Sequence, residues 1–136
     1  MRALRPIQNA DMQTISTPDA PAPAGHYAQA IVHAGLVYVA GQLPIDPRRP
    51  GCVQDTIEEQ TEQALRNVEA ILLAAGSSLD LLLQVTIYVA DLNLWGRVNA
   101  VYARVLGSHR PARAVVPTLA LHYGYLIEIQ AVASVS

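Results

Sequence analysis

The chain has 136 residues, of which 51% are hydrophobic and only 15% are charged, and its formal net charge is −2. This length suits one compact domain, whereas the charged fraction is well below the ~25% of an ordinary soluble protein. The sequence contains no lysine, which excludes Schiff-base and P-loop lysine chemistry, and it has no basic run of the kind that binds nucleic acid. The low polar content favours a protein that hides apolar surface between subunits over a well-packed monomer.

The cysteine content and the hydropathy of the chain exclude further classes of protein. Cys52 is the only cysteine, so we expect neither an internal disulfide nor a cysteine-based metal cluster. The four histidines lack ligand spacing, and no metal site is predicted. No segment approaches the ~18 apolar residues of a membrane span, and the first residues do not read as a secretory signal. We therefore expect a cytoplasmic protein that does not bind membranes.

The first predicted elements are an arm and a hairpin. Residues 1–20 lack a steady period and lead into alternating proline and alanine, so we interpret 1–20 as an N-terminal arm and 21–136 as a single domain. Residues 27–41 are rich in strand formers and contain a turn at Ala34-Gly35, which predicts two strands. A loop rich in Pro, Asp and Gly follows.

A helix is predicted after this loop. Asp55 followed by Glu58 is a capping-box pattern, apolar residues then recur at spacings of three and four, and Gly76 ends the helix. The remaining elements are a strand at 81–90, a helix at about 92–106 capped by Asp91 or Asn93, and strands at about 112–117 and 125–134.

The order β-β-α-β-α-β-β predicts an α+β fold. Strands that flank single helices in so short a chain favour a mixed sheet with both helices packed on one face. The opposite face would then be bare, and a neighbouring subunit is the expected cover.

Two charged residues interrupt the last two strands, which are otherwise uncharged. Because side chains alternate along a strand, Arg113 shares a face with Val115, and Glu128 shares a face with Gln130. One interpretation is that the two charges pair with each other or reach the sheet edge. The other is a polar pocket in which Arg113 binds a planar carboxylate and Glu128 moves a proton or holds a water molecule. The residues alone leave both open.

Several separate motifs point to a known family. They are GHYAQ at 25–29, AGQLP at 40–44, VNAVY at 98–102, and PAR at 111–113 followed by EIQA at 128–131. With these motifs in order, the chain from about residue 21 to 133 resembles the Rid family, the RidA/YjgF-like reactive-intermediate deaminases.

The resemblance implies a chorismate-mutase-like fold that assembles as a homotrimer with clefts between subunits. It also implies cofactor-independent hydrolysis of enamines and imines, such as 2-aminoacrylate, to 2-keto acids and ammonia. Arg113 would bind the substrate carboxylate and Glu128 would place the hydrolytic water as the catalytic pair. The further substrate-binding positions implied are Tyr27, Gly41, Asn99 and Val115.

Departures from the family pattern leave the substrate open. Ala40, Ala114 and Val115 stand where hydroxyl or thiol groups are frequent, so the cleft would be more apolar. The alternatives are a pathway-specific deaminase of aminomuconate type and a non-catalytic ligand-binding or protein-protecting trimer. Trp95 and Tyr102 are interpreted as packing residues, and His122 and Tyr123 as turn residues that could edge a pocket.

Overall fold

Six strands and two helices make up the regular structure of residues 11–136, the part of the chain that the computed structural model describes. The strands are β1 (Met12–Ile15), β2 (Ala30–His33), β3 (Leu36–Gln42), β4 (Leu82–Val89), β5 (Ala112–Pro117) and β6 (Ile127–Ser134). The helices are α1 (Ile57–Ala74) and α2 (Trp95–Leu106).

The strands form one mixed sheet in the order β1-β2-β3-β6-β4-β5. Neighbours are antiparallel except for β4 and β5, which are parallel and are joined through α2. Such a parallel pair needs a long crossover connection, and a helix supplies it. The predicted α+β fold, with a mixed sheet and two helices, is confirmed.

Strand β1 was not predicted. It lies within the segment interpreted as an arm, of which residues 1–10 fall outside the described part of the chain. Met12 pairs with His33 and Ile15 pairs with Ala30 at the sheet edge. Only the last of its four side chains, Ile15, is buried. So short a segment carries no alternating pattern, and its backbone pairing with β2 makes it a strand.

The β2–β3 connection is the predicted two-residue turn. His33 pairs with Leu36, and both residues between them have positive φ, 51° at Ala34 and 79° at Gly35. Positive φ at both central residues belongs to the type I′ turn, whose twist matches that of the flanking strands.

Helix α1 begins one residue later than predicted. Its N-cap is Thr56, whose hydroxyl accepts a hydrogen bond from the Glu59 amide at 3.2 Å, so Asp55 as the cap is wrong. Two capping patterns overlap in the sequence, Asp55 with Glu58 and Thr56 with Glu59. With Thr56 as the cap, Ile57 is the first residue of the helix and is only 2% exposed. Asp91 caps the 3₁₀ turn Leu92–Leu94, which leads into α2, by accepting from the Asn93 amide at 2.9 Å.

The core lies between the helices and one face of the sheet. Its largest side chains there are fully buried, and each stabilises the fold by roughly 1.5–3 kcal/mol. They include Leu65, Ile71 and Leu72 of α1, Ile87 of β4, and Ile127 and Ile129 of β6. Neither helix is long and apolar enough to cross a bilayer.

Within residues 11–136, no helix lies over the opposite face of the sheet. Ile31 pairs with Tyr38 and Tyr38 pairs with Val132 across three neighbouring strands of this face. Tyr38 is 46% exposed, and Val116 of β5 is 37% exposed. The bare sheet face that the element order predicts is therefore present in the single chain over residues 11–136, and it carries exposed apolar side chains.

Candidate functional site

Arg113 lies on the edge strand β5, on the side that faces the helices. It pairs with Val85 of β4, which is buried beneath the helices. Its Nη1 donates a hydrogen bond to Asn99 Oδ1 of α2 at 2.8 Å. The guanidinium also lies over two aromatic rings, 4.8 Å from the ring centroid of Tyr102 and 5.6 Å from that of Trp95. One amide and two cation–π contacts therefore fix its position.

The charge of Arg113 has no acidic partner within residues 11–136. The ion pairs of this region all use other arginines. A guanidinium carries five N–H donors, and Asn99 accepts from only one of its nitrogens. The remaining donors can bind a planar carboxylate in a bidentate manner. A half-buried cation with free donors is the arrangement expected of an anion-binding group.

A cavity of about 420 Å³ lies beside Arg113, at the C-terminal end of α2. Asn99 and Tyr102 form one wall, and His109 and Arg110 of the following loop form another. His109 is fixed by a contact of 2.8 Å between its Nε2 and the Leu82 carbonyl oxygen. A second cation, Arg110, thus adds positive charge to the same side of the molecule.

Glu128 lies on the other face of the sheet. It pairs with Tyr88 of β4, and Tyr88 is three residues from Val85, so alternation places the two on opposite faces. The Tyr88 hydroxyl donates to Gln130 Oε1 at 3.1 Å on this open face. Arg113 and Glu128 of one chain are therefore separated by the sheet, and the interpretation that they neutralise each other is wrong for a single chain.

A β-bulge brings Gly41 against Glu128. Val39 pairs with Ala131 but Gln42 pairs with Ile129, so β3 holds one extra residue at this point. A Cβ atom on Gly41 would lie 3.1 Å from Glu128 Cδ and would overlap Oε1. Glycine is required here for space, because any larger residue would displace the carboxylate.

Glu128 and Gly41 line a second cavity, of about 430 Å³, together with Tyr27. Tyr27 is 52% exposed, and its hydroxyl accepts a hydrogen bond from the Ala24 amide at 3.2 Å. Tyr123 forms part of the rim with a left-handed backbone, φ 62°. That conformation costs roughly 1–2 kcal/mol for a residue with a Cβ, and such strain is often found at ligand sites.

Two buried amides hold the loops around this second cavity. Gln29 accepts from the Thr17 amide at 2.7 Å and donates to the Thr17 carbonyl at 3.0 Å. Asn67 of α1 donates to the carbonyls of Leu43 and Ile45 at 3.0 and 2.9 Å. Both amides are almost fully buried. Neither residue was predicted to have a role, because an amide gives no signal in a sequence until its backbone partners are known.

The predicted site residues therefore fall into two groups. Arg113, Asn99 and Val115 lie on the helix side of the sheet, where Val115 packs partly against the core. The second group, around the cavity on the open face, is Tyr27, Gly41 and Glu128. Trp95 and Tyr102, both predicted to be packing residues, contact the Arg113 guanidinium, and Tyr102 is also buried in the core. One chain does not bring all the predicted residues into one pocket.

The chain is similar to known proteins over a region that includes both groups of predicted site residues. The sequence profile described as endoribonuclease L-PSP matches residues 17–135. A RutC family protein of Pyrococcus horikoshii is 44% identical over 121 residues, which are 89% of this chain and 96% of that protein. The 2-iminobutanoate/2-iminopropanoate deaminase of Rattus norvegicus is 39% identical over 121 residues, 89% and 88% of the two chains. A solved structure from the Rid protein family of Yersinia pestis superposes with a TM-score of 0.88 and 39% identity, and covers 91% of this chain and 99% of that one.

Proposed function

Because the chain belongs to the RidA/YjgF family, we propose that it is a cofactor-independent deaminase of small enamines and imines such as 2-aminoacrylate. The products are a 2-keto acid and ammonia. The observation that carries the proposal is the state of Arg113, which is half-buried, oriented by Asn99, and without an acidic partner in residues 11–136. The rat relative named as a 2-iminobutanoate/2-iminopropanoate deaminase supports the same chemistry.

The reaction needs little from the protein. The enamine tautomerises to an imine, water adds to the imine carbon, and the tetrahedral carbinolamine expels ammonia to leave the keto acid. The imine carbon is already electrophilic, so the tasks that remain are to hold the carboxylate, to orient one water molecule and to move protons. Arg113 performs the first task, and Glu128 performs the other two.

The proposal requires two copies of the chain. In one protomer Arg113 and Glu128 lie on opposite faces of the sheet, so each pocket combines Arg113 of one copy with Glu128 of its neighbour. Any closed ring of equivalent contacts gives every subunit one complete site, and we propose the homotrimer with three such clefts that the family resemblance implies. The exposed Tyr38 and Val116 of the open sheet face support association through that face.

Ribonuclease activity, which the name of the matching profile suggests, is less well supported. Binding an RNA backbone needs a concentrated positive surface, but the net charge is −2. Four of the arginines, Arg49, Arg66, Arg97 and Arg104, are engaged with carboxylates of the same chain. Arg113 points at a pocket beside α2, where a small carboxylate fits better than a nucleic-acid strand.

The test is coupled deamination. A dehydratase generates 2-aminoacrylate from serine, and pyruvate release is followed with and without the protein. We expect acceleration by the wild type, a loss of at least about 100-fold in kcat/KM for R113A, and partial activity for R113K, which keeps charge but not the bidentate fork. The control is R104A, which removes an exposed arginine of the outer helix surface.

Two outcomes would reject the proposal. The first is an R113A variant that is folded and as active as the wild type. The second is tight binding of 2-keto acids with no turnover of any imine, which would favour the non-catalytic trimer instead.

A further inference from the structure

Trp95 is the exposed apolar residue that lies beside the proposed carboxylate-binding group. It begins α2, and its side chain is 45% exposed although it is the largest apolar side chain of the protein. Its ring centroid lies 5.6 Å from the Arg113 guanidinium carbon. A tryptophan that served only to pack the helix would be expected to bury more of its surface.

The distance places the indole within reach of a bound substrate. A carboxylate bound edge-on to a guanidinium has its carbon about 4 Å from the guanidinium carbon. The side chain of a 2-imino acid begins two bonds further on, so a substituent of several carbons can extend along the indole. The single methylene carbon of 2-aminoacrylate is too small to cover that surface.

Val115 is a second apolar side chain close to Arg113. It is two residues after Arg113 on β5, shares its face, and is only partly buried. It stands where the sequence pattern of the family frequently has a hydroxyl or thiol group. Trp95 and Val115 are therefore apolar neighbours of Arg113, whereas the polar Asn99, His109 and Arg110 line the cavity at the C-terminal end of α2.

The cavity around Glu128 is also larger than a three-carbon substrate requires. Its volume is about 430 Å³, and Ala40, Leu43, Ile45 and Tyr123 contribute to its lining. Cavities of a few hundred Å³ suit ligands well above the size of pyruvate. This cavity therefore has room for a substrate larger than pyruvate, and the apolar contacts for its side chain would come from Trp95 and Val115.

We infer that Trp95, with Val115, forms a subsite for the substrate side chain and selects 2-imino acids that carry a branched aliphatic or aromatic group. This inference rests on the proposed function. The reaction is balanced as R–C(=NH)–COO⁻ + H₂O → R–C(=O)–COO⁻ + NH₃, in which water supplies the keto oxygen. A reaction that oxidises the corresponding apolar amino acid to its imine would supply this substrate.

The experiment compares two imines that differ only in their side chain. A D-amino-acid oxidase generates the imine in situ from D-leucine or from D-alanine, and formation of the keto acid is followed above the spontaneous rate. We expect the wild type to prefer the leucine-derived imine. In W95A the ratio of the two kcat/KM values should fall by about 10-fold or more, the scale at which a hydrophobic pocket discriminates, and W95F should keep most of the preference.

The outcomes separate the inference from the proposed function. If W95A is folded and lowers both kcat/KM values equally, Trp95 only orients Arg113 and the inference is wrong. A W95A variant with both kcat/KM values unchanged also overturns the inference. Turnover of the alanine-derived imine by the wild type would still support the proposed function. A wild type that accelerates neither reaction overturns both.

Discussion

Gly41 and Glu128 are in contact across the bulge between β3 and β6, and the contact leaves no room for a side chain on residue 41. The bulge adds one residue to β3, and this brings the Gly41 backbone into contact with the carboxylate of Glu128 on β6. A sequence position that looks like the end of a strand therefore determines where the proposed catalytic carboxylate lies.

Substitution of Gly41 should separate activity from folding. In G41A the added methyl group would displace the Glu128 carboxylate, because a Cβ there overlaps Oε1. The carboxylate ends a flexible side chain and can move, so we expect the free energy of unfolding to change by no more than about 1 kcal/mol. The kcat for imine hydrolysis should fall by about 10-fold or more, because the water is no longer held in place.

The matched control is G96A. Gly96 lies in the first turn of α2 with no atom near the place of an added Cβ. There the change from glycine to alanine should stabilise the helix by roughly 0.5–1 kcal/mol and leave kcat unchanged. Equal activity of G41A and the wild type would contradict the proposed role of the Glu128 position.

Mixing two inactive variants tests whether Arg113 and Glu128 of different copies form one site. R113A and E128Q should each be inactive when expressed alone. When they are co-expressed in equal amounts, random assembly pairs an intact arginine with an intact glutamate in about a quarter of the sites. We therefore expect keto-acid formation at about a quarter of the wild-type rate per subunit.

A site built from a single chain predicts a different activity for the co-expressed variants. If both residues of a site came from the same chain, co-expression would restore no activity. Size-exclusion chromatography with light scattering measures the assembly state on the same samples, and a monomer would count against the shared site.

Asn99 should control substrate binding through Arg113. It is the hydrogen-bond acceptor for the guanidinium, at 2.8 Å. N99A removes that acceptor, and the loss of one hydrogen bond to a charged group should raise KM by about 10-fold. N99D instead introduces a carboxylate that pairs with Arg113 and competes with the substrate carboxylate, so its KM should rise further.

Steady-state kinetics of the wild type, N99A and N99D tests whether KM rises in that order. N93A, a change at an exposed position in the turn before α2, is the control for loss of an amide. An N99D variant that binds substrate as well as the wild type would show that Arg113 does not hold the carboxylate.

Tyr102 should make the fold sensitive to alkaline pH. Its hydroxyl is buried without a hydrogen-bond partner in the described residues, and burial raises the pKa of the phenol, while the nearby Arg113 charge offsets part of that rise. A phenol whose pKa is higher in the folded state favours folding below its unfolded pKa of about 10. That contribution is lost as pH rises through the folded pKa.

Y102F removes this titration and keeps the ring beside Arg113. At neutral pH it should be as stable as the wild type or more stable by up to about 1 kcal/mol, because the hydroxyl has no partner to lose. Above about pH 10 it should lose less stability than the wild type. Urea unfolding at a series of pH values measures both effects, and a marked loss of stability at neutral pH would reveal a hidden hydrogen bond.

The local structure was largely predictable from the sequence. Residue pairs such as Ala34-Gly35 mark the hairpin turn, and the three- and four-residue spacing of apolar residues defines α1. The N-cap was off by one because Asp55 and Thr56 both fit the capping pattern, and burial of Ile57 decided between them. Strand β1 was missed because its strand character comes from pairing with β2.

Candidate site residues could be chosen from the sequence, but their geometry could not. Alternation correctly gave the neighbours that share a face with Arg113 and with Glu128. It could not relate the two strands to each other, because β5 and β6 do not pair and each takes its register from β4. Tyr102 lies in the core, as predicted, and also contacts the Arg113 guanidinium. The contact of the exposed Trp95 with that guanidinium could not be predicted, because aromatic spacing on a helix is the same whether the ring meets a core or a cation.

By itself the sequence determined the types of element, the turns and the presence of one arginine and one glutamate in two otherwise uncharged strands. These follow from local backbone preferences and from the periods of side-chain burial. Only the tertiary structure decided that Arg113 and Glu128 lie on opposite faces, and that a bulge seats Glu128 against Gly41. Register between distant strands is set by packing of the whole sheet, which no local pattern encodes.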